Sequence, residues 1–134
     1  MAYRGGLLVS VPVPVLKDEI QEHPVPSEWR PKLREIVAAI KDGNFGLYGL
    51  ERVEPLDEAT AAGISHNIEA YGCSLTALPD DSWNTSVCQW QLEYWEVLVD
   101  LFTVEEVRCD LVLHVNIFED AGSFTFRVHF VYVP

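Results

Sequence analysis

Apolar positions along the chain fall into two helical stretches followed by three strand-like runs. Leu33, Ile36, Val37 and Ile40 recur at i, i+3, i+4 and i+7, the spacing of one buried helix face, with Ser27 placed to cap the start and Gly43 to end the helix. A second helix is predicted after Pro55, with Asp57 as its cap, Ala61, Ile64, Ile68 and Tyr71 along one face, and Gly72 as the left-handed exit. Tyr94–Phe102, Cys109–Phe118 and Phe124–Val133 are β-branched or aromatic runs separated by short polar connections, which reads as an antiparallel meander. In the last two, Cys109, Leu111, Leu113, Val115 and Ile117, and Phe124, Phe126, Val128, Phe130 and Tyr132, alternate with more polar positions. One face is therefore expected to be core and the other mixed. Glu119-Asp120-Ala121-Gly122 suits a tight hairpin, and Thr103-Val104-Glu105-Glu106 has the spacing of a capping box and predicts one helical turn between strands.

Both helices are one-sided and need a sheet to cover. The expected fold is α+β, two helices packed on one face of a three- to five-stranded antiparallel sheet, with residues 1–26 as a Pro-rich N-terminal arm and residues 27–134 as a single domain. In the arm, the prolines of Val11-Pro12-Val13-Pro14-Val15 remove every second ladder donor and hold the backbone extended, so it suits an edge strand or a polyproline-like segment lying on its own domain or on another subunit. Ser74–Leu78 suits a further short strand, and Asp80–Leu92 fits either a helix or a short strand. Asn44–Leu50 is rich in glycine and apolar residues, but its acidic flanks and the missing Lys-Ser/Thr pair exclude a phosphate cradle and leave a packed surface loop.

Charge narrows the partners. With 9 Lys and Arg against 21 Asp and Glu, the net charge of −12 repels nucleic acid backbones and anionic membrane surfaces. An acidic surface attracts a basic protein partner, and it is also a common route to plain solubility, the more ordinary reading of the charge. Pro12 and Pro14 interrupt the only apolar N-terminal run, so neither a signal peptide nor a membrane span is expected. Cys73, Cys88 and Cys109 are odd in number and include no Cys-x-x-Cys pair, which suits buried thiols in the cytoplasm better than a disulfide framework. Cys88 lies among Trp83, Asn84 and Trp90, an apolar setting that blunts a thiol nucleophile.

Two groups of side chains carry chemistry. Paired across the last hairpin, His114 stands opposite or diagonal to Arg127 and His129, with Asp110 and Asn116 on the same face. Asp110, His114, Arg127 and His129 are thus candidate catalytic residues, and His114, His129 and Asp110 candidate metal ligands, since imidazole and carboxylate suit zinc or ferrous iron. A solvated sheet face collects the same residue types with no chemistry attached. The second group is an acidic rim, Glu96, Asp100, Glu105 and Glu106, with Arg108 as a neutralising neighbour and Trp90 as an aromatic anchor beside it. His66 has no second ligand at helical spacing and reads as a surface residue.

The segments Thr85-Ser86-Val87, Gln89-Trp90, Trp95 through Glu106, Arg108, Asp110-Leu111-Val112-Leu113 and the closing His129-Phe130-Val131-Tyr132-Val133-Pro134 together resemble a bacterial family known as a domain of unknown function. The resemblance covers roughly residues 30–134 and is strongest from Thr85 onward. It implies a bacterial, cytosolic, single-domain protein, and transfers no activity, cofactor or catalytic residue. The functional expectation is therefore a non-enzymatic, cofactor-free acidic interaction module, comparable in charge and size to small immunity or antitoxin proteins. The alternatives are a small enzyme or metal-binding protein on the open sheet face, and a homodimer formed through the arm or a sheet edge.

Overall fold

A computed structural model describes residues 11–134, so Leu7–Ser10, the first residues of the apolar N-terminal run, lie outside the described residues. Two helices and five strands follow in the order β1 (His23–Pro24), α1 (Arg30–Lys41), α2 (Glu58–Tyr71), β2 (Val87–Trp90), β3 (Trp95–Thr103), β4 (Val107–Asp120) and β5 (Ser123–Tyr132). The sheet is antiparallel throughout, with spatial order β1-β2-β3-β4-β5. This is the expected α+β arrangement, extended to five strands by two short members that carry little sequence signal.

α1 buries Leu33, Ile36, Val37 and Ile40, as its periodicity requires. Ser27 does not cap it. A short 3-10 turn over Ser27–Trp29 precedes the helix, and the N-cap position falls to Trp29, which makes no side-chain capping bond. Ser27 instead accepts from the Val13 amide through Oγ at 2.8 Å and donates its own amide to the Val13 carbonyl at 3.0 Å. The hydroxyl satisfies an extended segment that can offer no ladder of its own, and so fastens the arm to its own domain. Farther along, Trp95 Nε1 donates to the Leu16 carbonyl at 2.8 Å and Gln89 Nε2 to the Glu19 carbonyl at 2.9 Å, leading the chain into β1 beside β2.

α2 begins and ends as its sequence requires. Asp57 Oδ1 accepts from the Thr60 amide at 2.7 Å, and Gly72 exits at φ +76°, a value that favours glycine. The helix lies against β5, burying Ile64. Asp80–Leu92 divides between both readings of it, a 3-10 turn at Asp80–Asn84 and then β2. Ser74–Thr76 adds only a bridge to the end of β3, where Leu75 pairs with Thr103. Leu47, in the glycine-rich loop, is fully buried at φ +59°, so this loop contributes to the core.

The core lies on one face of the sheet. Trp95, Val97 and Val99 of β3 stand in register with Ile117, Val115 and Leu113 of β4, and Phe126, Val128 and Val131 continue the rows on β5. Trp29 meets Trp95 and Phe124 edge-on, with ring centroids 5.2 and 5.4 Å apart, each contact worth about 0.5–1.5 kcal/mol beyond its buried area. A bulge breaks the expected alternation in β5: Val115 pairs with Val128 but His114 with Phe130, leaving His129 as the extra residue. From there the faces exchange. Val131 enters the core, and Phe130 and Tyr132 turn to the other face with His114, contrary to the strict alternation expected of this run.

Both sheet edges are blunted. Residues 52–54 run beside β5, with the Phe126 amide donating to the Arg52 carbonyl and the Glu54 amide to the Phe126 carbonyl, at 2.8 and 2.9 Å. The other edge is β1, two residues long and ending in a proline.

Candidate functional site

The bulge at His129 assembles the most chemically loaded spot on the open face. It brings the rings of His114 and His129 to a centroid separation of 4.6 Å, and Tyr132 OH lies 3.2 Å from His114 Nδ1. Glu96, from the neighbouring strand, places a carboxylate oxygen 3.4 Å from His114 Nε2. Among the described residues that buried nitrogen completes no hydrogen bond, and neither does Asn116 Oδ1, two residues along the same strand face. Burial holds the His114 pKa below the ordinary imidazole value. His129 pushes the same way, against the opposing pull of the Glu96 carboxylate. An imidazole set between a tyrosine hydroxyl and a carboxylate is placed to accept and pass on a proton.

The other predicted members do not join it. Asp110 lies four residues from His114, about 13 Å along the strand, is exposed, and donates its amide to Tyr71 OH at 3.1 Å. Arg127 pairs across the strands with Asn116 but turns its guanidinium onto Glu54, with Nε and Nη2 at 3.0 and 3.1 Å from the two carboxylate oxygens, and covers the Phe118 ring at 4.6 Å. Beside this pair a depression of about 280 Å³ is lined by Glu54, Asp57, Thr60, Asn116, Arg127 and His129. Among the described residues no group of three or more His, Cys, Asp or Glu side chains is placed to hold a metal ion. Tyr132 and Glu54 were invisible to sequence reasoning: Tyr132 reaches the site only through the bulge, and Glu54 meets a partner 73 positions away with no spacing rule to reveal it.

The acidic rim divides into two uses. Asp100 accepts from Thr85 Oγ1 and stands 3.9 Å from Arg108, the neutralising pair its sequence neighbourhood suggests. Glu105 and Glu106 occupy the β3–β4 turn, which is a simple turn rather than the expected helical one, although Thr103 Oγ1 does accept from the Glu106 amide at 3.0 Å. Glu105 accepts from the Ser74 amide at 3.0 Å, a bond that lowers its pKa, and Glu106 accepts from Tyr71 OH at 2.7 Å. Both carboxylates thus tie the hairpin to the end of α2. Val104 and Val107 beside them are exposed, and Val107 takes φ +66°. Trp90 is half-buried against Trp95, with Lys17 Nζ 5.2 Å from its ring centroid. The Cys88 thiol is buried and pushed up to about 11, which leaves it protonated and unreactive near neutrality.

The family described as a domain of unknown function, DUF7668, matches residues 37–134. The chain belongs to this family. The DUF7668 match begins in the middle of α1, so it takes in the meander, α2 and both clusters above and leaves the arm outside. No curated protein and no solved structure matches the chain. Among the described residues no helix is long and apolar enough to cross a membrane.

Proposed function

We propose that this protein is a non-enzymatic acidic interaction module that takes a basic protein partner at the β3–β4 turn. One observation carries the reading. At that turn Val104 and Val107, 71% and 68% exposed, flank Glu105 and Glu106, and Val107 is a β-branched residue in the left-handed region. Such a residue costs about 1–2 kcal/mol relative to a right-handed or extended backbone, and glycine would remove the cost. Apolar side chains presented to water at a strained position fit contact better than folding. The ties from Ser74 and Tyr71 hold both carboxylates in place before any partner arrives, which limits the entropy lost on binding. At this end Glu105, Glu106 and Asp110 outnumber Arg108, which leaves it acidic and complementary to a basic surface. The free thiols suit a reduced compartment, the bacterial cytoplasm in this reading. A second copy of the chain fits less well as the partner, because both sheet edges are blunted.

The test is capture of basic proteins by wild type and by the double variant Val104→Ser, Val107→Asn, with thermal melting of both. Asparagine accepts a left-handed backbone, so the variant should melt at the same or a higher temperature while losing proteins that wild type retains in a salt-sensitive manner. Identical retention by a folded variant, or no retention by either, would sink the proposal. A second reading, acid–base chemistry at His114, is favoured by its buried Nε2 without a hydrogen bond. It requires a substrate to fill the 280 Å³ depression next to it.

A further inference from the structure

Arg30 and Arg34, one helical turn apart near the start of α1, wall a cleft of about 490 Å³ together with Ser27, Asp80, Trp83 and Asn84. Their guanidinium carbons stand 5.2 and 5.6 Å from the centroid of the same Trp83 ring, so two like charges are held against one indole. Arg30 is fixed by donating through Nε and Nη2 to the Val25 carbonyl at 3.0 and 2.8 Å, and its other terminal nitrogen has no partner among the described residues. Arg34 pairs with Asp80, whose side chain is 87% exposed. One carboxylate therefore faces two guanidinium groups.

Trp83, which lines the same space, is only 7% exposed, and its buried indole N–H has no acceptor among the described residues. Burial lowers the Arg30 pKa and the neighbouring Arg34 lowers it further, while Asp80 pulls it the other way. In a chain of net charge −12, two guanidinium groups facing one carboxylate are a local excess of positive charge.

We infer that this cleft binds a small oxyanion, a carboxylate or phosphate group of a compact ligand, between Arg30 and Arg34 beside Trp83. The anion would supply the acceptor that Asp80 alone does not, with Arg34 able to move between Asp80 and the ligand. The site is separate from the β3–β4 turn and does not depend on it.

Titration of the ¹⁵N-labelled protein with sodium phosphate, and separately with sodium acetate, at constant ionic strength set by chloride, tests the inference through the indole N–H resonances. A saturable shift of the Trp83 signal, with those of Trp29 and Trp95 unmoved, is expected for at least one anion, and the arm that saturates identifies the chemistry. Arg34→Gln should weaken that binding about tenfold, the worth of one charge-assisted hydrogen bond. Asp80→Asn, which frees Arg34 without removing a cation, should tighten it several-fold, an outcome that loss of folding cannot mimic. No saturable shift with either anion, or affinities unchanged in both variants, overturns the inference.

Discussion

On the covered face of the sheet, Trp95, Val97 and Val99 lie across from Ile117, Val115 and Leu113, every one fully buried under α1 and its flanking turns. The residues between them, Glu96, Leu98 and Asp100 across from Asn116, His114 and Val112, share the same strands and register and face the other way. There an imidazole nitrogen and an amide oxygen are withdrawn from water without a partner among the described residues, and two histidine rings press together. The covered face is packed almost wholly with apolar side chains, though the Trp29 indole N–H there also lacks an acceptor among the described residues. The open face keeps more of its polar groups in settings that cost stability. Stability and chemistry are thus separated by the thickness of one sheet, and a change on one side need not disturb the other.

That separation can be broken most directly from the covered side. Trp95→Ala removes an indole that touches Trp29, Trp90 and Phe124, and is expected to cost about 3–5 kcal/mol in urea denaturation. A loss under about 1 kcal/mol would mean that the core lies elsewhere. On the open side, Asn116→Leu replaces a buried, unpartnered amide oxygen with a side chain of similar size. Denaturation of this variant should show stability unchanged or raised by up to about 1 kcal/mol, and a substantial loss would reveal a hydrogen bond to solvent or ligand at that oxygen.

The smallest expected effect is a pH dependence owed to His114. Its folded pKa lies below the unfolded value of 6.5, so below that pH the unfolded chain binds the proton more readily than the native one. The stability contribution is whole above pH 6.5 and is lost as pH falls toward the folded pKa. Melting temperature measured from pH 7.5 down to 5 should fall, and His114→Gln should flatten that part of the curve. An unchanged slope in the variant would assign the dependence to other groups.

Much of the covered face was legible in sequence and little of the open one. Leu33, Ile36, Val37 and Ile40 repeat at helical spacing, and Asp57 and Gly72 bound α2 through local bonds, so short-range rules suffice for both helices. The three long strands announce themselves by β-branched and aromatic content. β1 does not, since two residues including a proline carry no period. The bulge at His129 adds a residue without altering composition, so the positions that decide which of Phe130, Val131 and Tyr132 meets His114 look like ordinary alternation. Ser27 has the residue type and place of a helix cap, and is diverted by Val13, a partner 14 positions upstream. The Arg30, Arg34 and Trp83 cleft draws on segments far apart in the chain, where no spacing rule reaches.

The strand order has one more consequence, for the route by which the chain folds. β2 to β5 are neighbours in sequence as in space and close through short turns, whereas β1 pairs with a strand 63 to 65 positions away, His23 with Cys88 and Pro24 with Val87. Short loops close at less entropic cost, so the meander assembles first and the arm docks onto a sheet already formed. Contacts made after the barrier govern how fast a native protein comes apart rather than how fast it forms. The arm's bonds through Val13, Leu16 and Glu19 then act as a late-fastened clasp that lengthens the lifetime of the native state.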